Sequence, residues 1–348
     1  MRRKNHQKKE EIVYLSAKGR IMLNMLLRNG RISNTAIARR LNISSQVTGR
    51  IRRSLERDDV IKNYSIEIDP EVLDINTFVL IFFKLEPNNE EKVMSDNMTG
   101  LYKILGNQIT HIGTYAFQNV EKAQDYMHSL IEHSNGVKII KTCISSRKNM
   151  LKCSSKNVFY NAINGFKNNP GIYPSSIIQK LKKKKSLSLS ISEKEVLKEL
   201  VKNSRISCKK IASHIDKLKI TRTGVHRIEK RLENQGVIKR YDVNLDYGKL
   251  GVNILAFFVL TIKPEALIAR DNLLKNIDKS CNLIGCCESD DESIVLSGFR
   301  NLSELESYCD NKLKTIYKDF VELKDIFIFT PKGIIKESFA DLYLSLLE

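Results

Sequence analysis

The chain of 348 residues carries 58 Lys and Arg against 40 Asp and Glu, a formal net charge of +18, and 42% of it is hydrophobic. That is enough apolar material for two or more compact domains, which excludes a wholly disordered chain. The charge implies a polyanionic partner, because clustered positive charge concentrates phosphates, although composition alone does not separate DNA from RNA or lipid.

The first residues, MRRKNHQKKE, form a basic tail over 1–12. No apolar run of signal-peptide or membrane-span length follows, so a cytoplasmic chain with no membrane partner is expected. The seven cysteines (Cys143, Cys153, Cys208, Cys281, Cys286, Cys287 and Cys309) are odd in number and contain no CxxC pair, which predicts reduced core thiols.

The sequence repeats itself. Asn29-Gly-Arg-Ile-Ser33 returns as Asn203-Ser-Arg-Ile-Ser207 and Ile37-Ala38 as Ile211-Ala212, both 174 positions on. Leu55-Glu56, Val60-Ile-Lys62, Tyr64 and Pro87 return as Leu232-Glu233, Val237-Ile-Lys239, Tyr241 and Pro264, 177 positions on. Three residues are therefore inserted in the second copy.

In the first copy Ser16 precedes an apolar helix that Asn29-Gly30 stops, a second helix covers about Asn34 to Leu41, and a third runs from Ser44 to about Asp58. A strand leaves the third helix, with alternation at Tyr64, Ile66 and Ile68, in the place of a wing. Thr77 to Leu85 is a nearly continuous apolar strand, so both its faces should be buried, one by helices and one by a second sheet. A helix, a strand at Ile104-Leu105, a turn at Gly106-Asn107, a strand over Ile109 to Phe117, a helix over Val120 to Ile131 and a strand over Val137 to Ile144 complete a βαββαβ order.

A basic linker spans 151–188 and contains Lys180-Leu-Lys-Lys-Lys-Lys185, with a short helix near Ser176 to Leu181. The second copy then opens on Ser192 and Glu195 as a capping box. Its later helices cover about Cys208 to Ile215 and Thr221 to Asn234, and its strands Val237 to Leu245, Ile254 to Ile262, Leu283 to Glu288, Ser293 to Phe299 and Val321 to Phe329, with a helix from Leu302 to about Ile316. The predicted class is α+β, with two winged helix-turn-helix domains (13–69 and 189–246) alternating with two ferredoxin-like βαββαβ domains (70–150 and 247–348).

On the third helices Thr48, Ile51 and Leu55, and Val225, Ile228 and Leu232, fall on one apolar stripe that faces the core. The opposite face carries Gln46, Gly49, Arg50 and Arg53 in copy 1 and Thr223, His226, Arg227 and Lys230 in copy 2. A helix fits the major groove of double-stranded DNA, where Gln reads adenine and Arg donates twice to guanine, so these residues are candidates for base readout. Ser44, Ser45, Arg52, Thr221, Arg222 and Arg231 complete the candidate DNA-binding set, and Arg57, Lys62, Lys239 and Arg240 are further phosphate candidates. An ordinary solvated helix face is the plain alternative. The copies differ, with Gly49 opposite His226, Gln46 opposite Thr223 and the turn lengthened by Asp216-Lys-Leu-Lys219, so an asymmetric DNA site is expected. Asp58-Asp59-Val60 stands where copy 2 has Gln235-Gly-Val237, which predicts a strained helix exit in copy 1.

This arrangement resembles the leucine-responsive regulatory protein/AsnC family of transcription regulators, here in tandem. The matching residues are Asn29-Gly-Arg-Ile-Ser33, Ile37-Ala-Arg-Arg-Leu41, Ile43-Ser44, Arg50-Ile51 and Leu55-Glu56, then Asn203-Ser-Arg-Ile-Ser207, Ile211-Ala212, Arg227-Ile228, Leu232-Glu233 and Gln235-Gly-Val-Ile238. The resemblance implies DNA binding by the helix-turn-helix units. It also implies face-to-face pairing of the two ferredoxin-like domains within one chain, further homo-oligomerisation, and response to an amino acid or other metabolite effector. The family's Gly-x-Tyr-Asp-like effector turn is replaced by Gly106-Asn-Gln108 and Ser289-Asp-Asp291, so the effector's identity is open.

Two rival readings follow from the same shape. Sirohaem decarboxylases share it and would need imidazole or cationic groups in a closed pocket. His111, His128, His133, His214 and His226 show no motif spacing, and His111 reads as a structural histidine on a strand. A loosely specific architectural DNA binder would use the tail and the lysine run, with steep salt dependence. Cys281, Cys286 and Cys287 lack a second ligand pair of zinc-site spacing, and no Gly-rich phosphate loop or nucleophile elbow occurs. No catalytic residue, cofactor or metal is expected.

Overall fold

The structure, a computed structural model, describes residues 12–146, 150–151, 159, 162–163, 188–263, 283–288, 292–316, 319 and 321–348. The first helical unit holds α1 (Ala17–Arg28), α2 (Asn34–Leu41) and α3 (Ser45–Arg57), and strand β1 (Ile61–Ile68) follows it. Ser16, Ser33 and Ser44 cap the three helices, each side-chain oxygen accepting a backbone N–H of the first turn. The second unit repeats this as α5 (Ile191–Lys202), α6 (Cys208–His214), α7 (Arg222–Asn234) and β7 (Ile238–Leu245), after an intervening domain that contains α4 (Val120–His133).

The capping box of α5 is Ser190 with Glu193, not Ser192 with Glu195. Both Ser-x-x-Glu frames exist in the sequence, and the earlier one adds half a turn to the helix. It also places the buried Glu193 carboxylate 2.9 Å from Arg231.

Each ferredoxin-like sheet runs in the order fourth, first, third, second strand. In the first these are β5 (Val137–Ser146), β2 (Thr77–Leu85), β4 (His111–Phe117) and β3 (Met98–Lys103); in the second, β11 (Val321–Phe329), β8 (Ile254–Ile262), β10 (Glu292–Phe299) and β9 (Leu283–Glu288). A fifth strand is exchanged at each free edge. β6 (Met150–Leu151), which follows the first domain, pairs with β9 of the second, and β12 (Ile334–Glu337), which follows the second, pairs with β3 of the first. β1 and β7 pair with each other as an antiparallel ribbon, Ile66 opposite Tyr241, so the strand in the wing position bridges the two units.

Alternate residues of the apolar strands enter different cores. Leu80 and Phe82 of β2 meet Leu255, Phe257 and Val259 of β8 between the sheets, with ring pairs Phe82–Phe327 at 5.3 Å and Tyr102–Phe257 at 5.2 Å. Val79, Ile81 and Phe83 turn to the layer of α4, and Ala256, Phe258 and Leu260 to that of α8 (Leu302–Tyr308). Both faces of both strands are buried, which is why they read as continuous apolar runs.

Several elements differ from the sequence reading. The second strand of the first sheet is Met98–Lys103 rather than Ile104-Leu105, and a 3₁₀ turn at Glu90–Val93 stands where the first helix was expected. α8 continues as a π-helical segment over Cys309–Ile316. Phe159 and Ile163, inside the stretch read as a linker, are buried, Phe159 lying on Tyr247 at 4.7 Å between centroids. The lysine run, the short helix near Ser176 and the N-terminal tail to residue 11 lie outside the described residues. A last helix, α9 (Ala340–Leu347), packs on α5.

Candidate nucleic-acid interface

The α2–α3 turn is short, with Asn42 in the left-handed region at φ 50°. In copy 2 it is longer: a 3₁₀ turn over Asp216–Leu218 ends with Lys219 at φ 51° before Thr221 caps α7. Thr48 and Leu55, and Val225 and Leu232, are buried, which orients the other face of each helix outward.

On α3, Gln46, Arg50 and Arg53 are exposed and Gly49 is half-buried between them; on α7, Thr223, His226, Arg227 and Lys230 are exposed. Ser45 and Arg222, the first residues of the two helices, are exposed as well. Ser44 Oγ and Thr221 Oγ1 serve as caps, each accepting a first-turn N–H at 3.2 Å. Arg53 Nε donates to Gly49 O at 3.2 Å, and Lys230 pairs with Glu233 at 2.7 Å. The exposed Arg57 lies 3.3 Å from Asp58.

Other cations are turned inward or already paired. Arg240 lies 2.5 Å from Glu67 and 2.8 Å from Asp242 in the β1–β7 ribbon, so it supports the scaffold rather than reaching a phosphate. Burial works against its charge, but the two carboxylates outweigh that and hold its pKa above the ordinary value. Lys62 and Lys239 pair with Asp246 and Asp69 at 3.0 and 3.5 Å, and Arg231 with Glu193. Only 18% of the Arg52 side chain is exposed; its Nε, 3.5 Å from Glu56 Oε1, and its Nη1 are buried without a hydrogen bond.

The surroundings of Arg52 expose a junction that the sequence reading missed. Arg31, just past α1, crosses into the second unit: it donates to Glu229 Oε1 at 2.9 Å and Tyr241 Oη at 3.1 Å, and lies 5.1 Å above the Tyr241 ring. Its counterpart Arg205 crosses back, donating to Gly30 O at 2.6 Å and Ile32 O at 3.1 Å, and lies 5.2 Å above the Tyr64 ring. The position matching Glu229 in copy 1 is Arg52, so one end of the junction joins Arg31 directly to a carboxylate, whereas the other sets Arg205 near a second arginine, with Glu56 beside Arg52. Burial, with the nearby Arg52 charge, pulls the Arg205 pKa down. Both arginines sit in the repeated Arg-Ile-Ser motif, the one signal that could have revealed them.

Gly30 has a role other than a left-handed helix stop. Asn29 caps α1 in an extended conformation, and Gly30 lies against β7, where a Cβ would stand 2.4 Å from Asp242 O. Asp59 adopts φ 55° where copy 2 has Gly236 at φ 69°, the helix exit at which Asp fits less well.

Comparison with known proteins matches a winged helix-turn-helix DNA-binding family twice, at residues 15–62 and 189–239. Among curated proteins, an uncharacterised HTH-type transcriptional regulator of Pyrococcus furiosus is 33% identical over 91 residues, covering 26% of this chain and 59% of that protein. A second such regulator of P. furiosus is 24% identical over 147 residues, covering 42% of this chain and 93% of its own length. The chain thus spans little more than half of the first relative. The sirohaem decarboxylase NirDL has a similar fold, with a TM-score of 0.57 at 11% identity over 94% of this chain and 98% of that one. No helix among the described residues is long and apolar enough to cross a membrane.

Proposed function

We propose that the chain is a sequence-specific regulator of transcription that grips double-stranded DNA with two non-identical helix-turn-helix units. The observation that carries this is the double match to a winged helix-turn-helix DNA-binding family, each match containing a third helix with an outward face of polar and basic side chains. Gln46, Gly49, Arg50 and Arg53, and Thr223, His226, Arg227 and Lys230, would meet base edges. Ser44, Ser45, Thr221 and Arg222 would meet phosphates from the helix N-termini. Arg52 and Arg231, both engaged with carboxylates, would take a smaller part.

The chain is read as a tandem form of the leucine-responsive regulatory protein/AsnC type from its repeated motifs, and a whole HTH-type relative matched over 93% of its length by 42% of this chain has the size of a single repeat. Higher assembly and response to an amino acid or other metabolite belong to the same reading. Different residues at equivalent groove positions favour an asymmetric DNA site.

Selection of bound fragments from random and genomic DNA, followed by affinities for the best and a scrambled fragment across a salt series, tests this. A preference of about a thousandfold or more at physiological salt is expected. Equal, salt-sensitive binding to both fragments would replace it with the architectural reading. No binding at low salt, with tetrapyrrole absorbance in the purified protein, would turn the reading toward the decarboxylase whose fold the chain shares. On that enzyme reading His111 would be held mainly as the neutral ring: burial pulls its pKa down, and it sits on β4 beside Glu90 and Thr110.

A further inference from the structure

Among the described residues, a cluster of metal-ligating side chains lies at the edge of the outward face of α7, running from the exposed His226 to the buried Glu229. Cys208, His226 and Glu229 bring a sulfur, an imidazole nitrogen and a carboxylate oxygen within 4.8 Å of one another. Cys208 is the first residue of α6; His226 and Glu229, three apart on α7, share one side of that helix. They border a cleft of about 450 Å³ that Arg31 and Tyr241 close from the junction side.

The sulfur–carboxylate pair has the spacing of a tetrahedral site, and the His226 ring nitrogen, within 4.8 Å of both, would close onto the ion from the exposed side. The Cys208 thiol donates to Glu229 Oε2 at 3.4 Å. With a metal–sulfur bond of about 2.3 Å and a metal–oxygen bond of about 2.0–2.2 Å, a tetrahedral site needs sulfur and oxygen about 3.5 Å apart. The other carboxylate oxygen accepts from Arg31 at 2.9 Å, the kind of outer hydrogen bond that fixes a ligating carboxylate. A thiolate and a carboxylate together neutralise a divalent ion, and one thiolate with one imidazole selects zinc-like metals over magnesium or calcium. In copy 1 the three positions hold Asn34, Gly49 and Arg52, which cannot make such a set.

We propose that Cys208, His226 and Glu229 bind one divalent transition-metal ion of the zinc class per chain, with the fourth position open to water. Binding replaces the proton between sulfur and carboxylate, which leaves to solvent. The ion would draw the His226 ring away from the groove face and disarm the second unit selectively; this consequence, unlike the site itself, rests on the DNA-binding reading.

Cobalt(II) titration of the full chain without an affinity tag tests the site. One equivalent should give a thiolate-to-cobalt charge-transfer band in the near ultraviolet, and zinc should bleach it. Cys208→Ser should abolish the band, and His226→Ala, at an exposed position that does not threaten folding, should weaken cobalt binding at least tenfold. Absence of the band from the wild-type chain, its survival in Cys208→Ser, or unchanged affinity in His226→Ala would overturn the proposal. The readout is the metal's own spectrum, so failure of the site and failure of DNA binding are separately visible.

Discussion

Glu229→Gln probes whether the junction between the two units is held by charge at one end only. Its side chain is 5% exposed and that of its partner Arg31 21%, at 2.9 Å. Removing one partner of a buried pair costs about 3–5 kcal/mol. Here Arg31 keeps some water and its bonds to Tyr241 and Ile206, which reduces the expected loss to about 2–3 kcal/mol. With about 2.1 cal/mol/K of unfolding entropy per residue, a 348-residue chain melting as one unit would lose about 3–4 °C in Tm. Urea melts of Glu229→Gln, Arg31→Gln and the double variant should give a coupling of at least about 1 kcal/mol. Arg52→Gln is the internal control: it removes a positive charge near Arg205, and its partner Glu56 is 35% exposed and keeps the hydrogen bond from Tyr64 Oη at 2.8 Å, so stability should stay within about 1 kcal/mol of wild type. A coupling below about 0.5 kcal/mol, or an Arg52→Gln loss as large as that of Glu229→Gln, would refute the one-sided picture.

Asp59→Gly should raise stability by about 0.5–1 kcal/mol in chemical melts, because the residue stands at φ 55° where glycine is free of strain. Gly30→Ala should cost about 1–3 kcal/mol in the same assay, since the new methyl would meet the Asp242 carbonyl at 2.4 Å. Burial pushes the Glu199 carboxyl up, but hydrogen bonds from His214 and Lys202 outweigh it and leave its pKa below the ordinary carboxylate value. Its stabilisation is therefore complete above that ordinary value and is lost as pH falls through the lowered one, so Glu199→Gln should flatten that limb of a pH series of urea midpoints. Arg50→Ala should cost about 1–3 kcal/mol of discrimination between the selected site and a single-base variant, measured by competition binding.

The apolar strands Thr77–Leu85 and Ile254–Ile262 were legible to their last residues because burial on both faces leaves little room for polar side chains. The outward faces of α3 and α7 were legible because the buried stripe repeats at helical spacing in both copies. What escaped depends on partners far away in sequence. β6 and β12 are two and four residues long and owe their conformation to an edge in the opposite domain. Met98–Lys103 is less legible than Ile104-Leu105 because its Thr99 and Gly100 carry little apolar signal, while Gly100 packs under the Tyr102 and Thr114 side chains. Arg240 read as a surface cation because Glu67 reaches it only through the β1–β7 ribbon. Glu229 looked like one more charge on a polar helix; its burial follows from Arg31, 198 positions away.

The reciprocal exchange of β6 and β12 has a consequence for how the halves can change. In an assembly of two identical subunits a substitution appears at both symmetric places at once, so a gain on one side carries its mirror image with it. Here each half supplies an edge to the other within one chain, and the pairing is independent of protein concentration. Either side can then drift alone, as Glu229 and Arg52 illustrate. A useful asymmetry could be fixed in one half while the other half keeps the shared architecture.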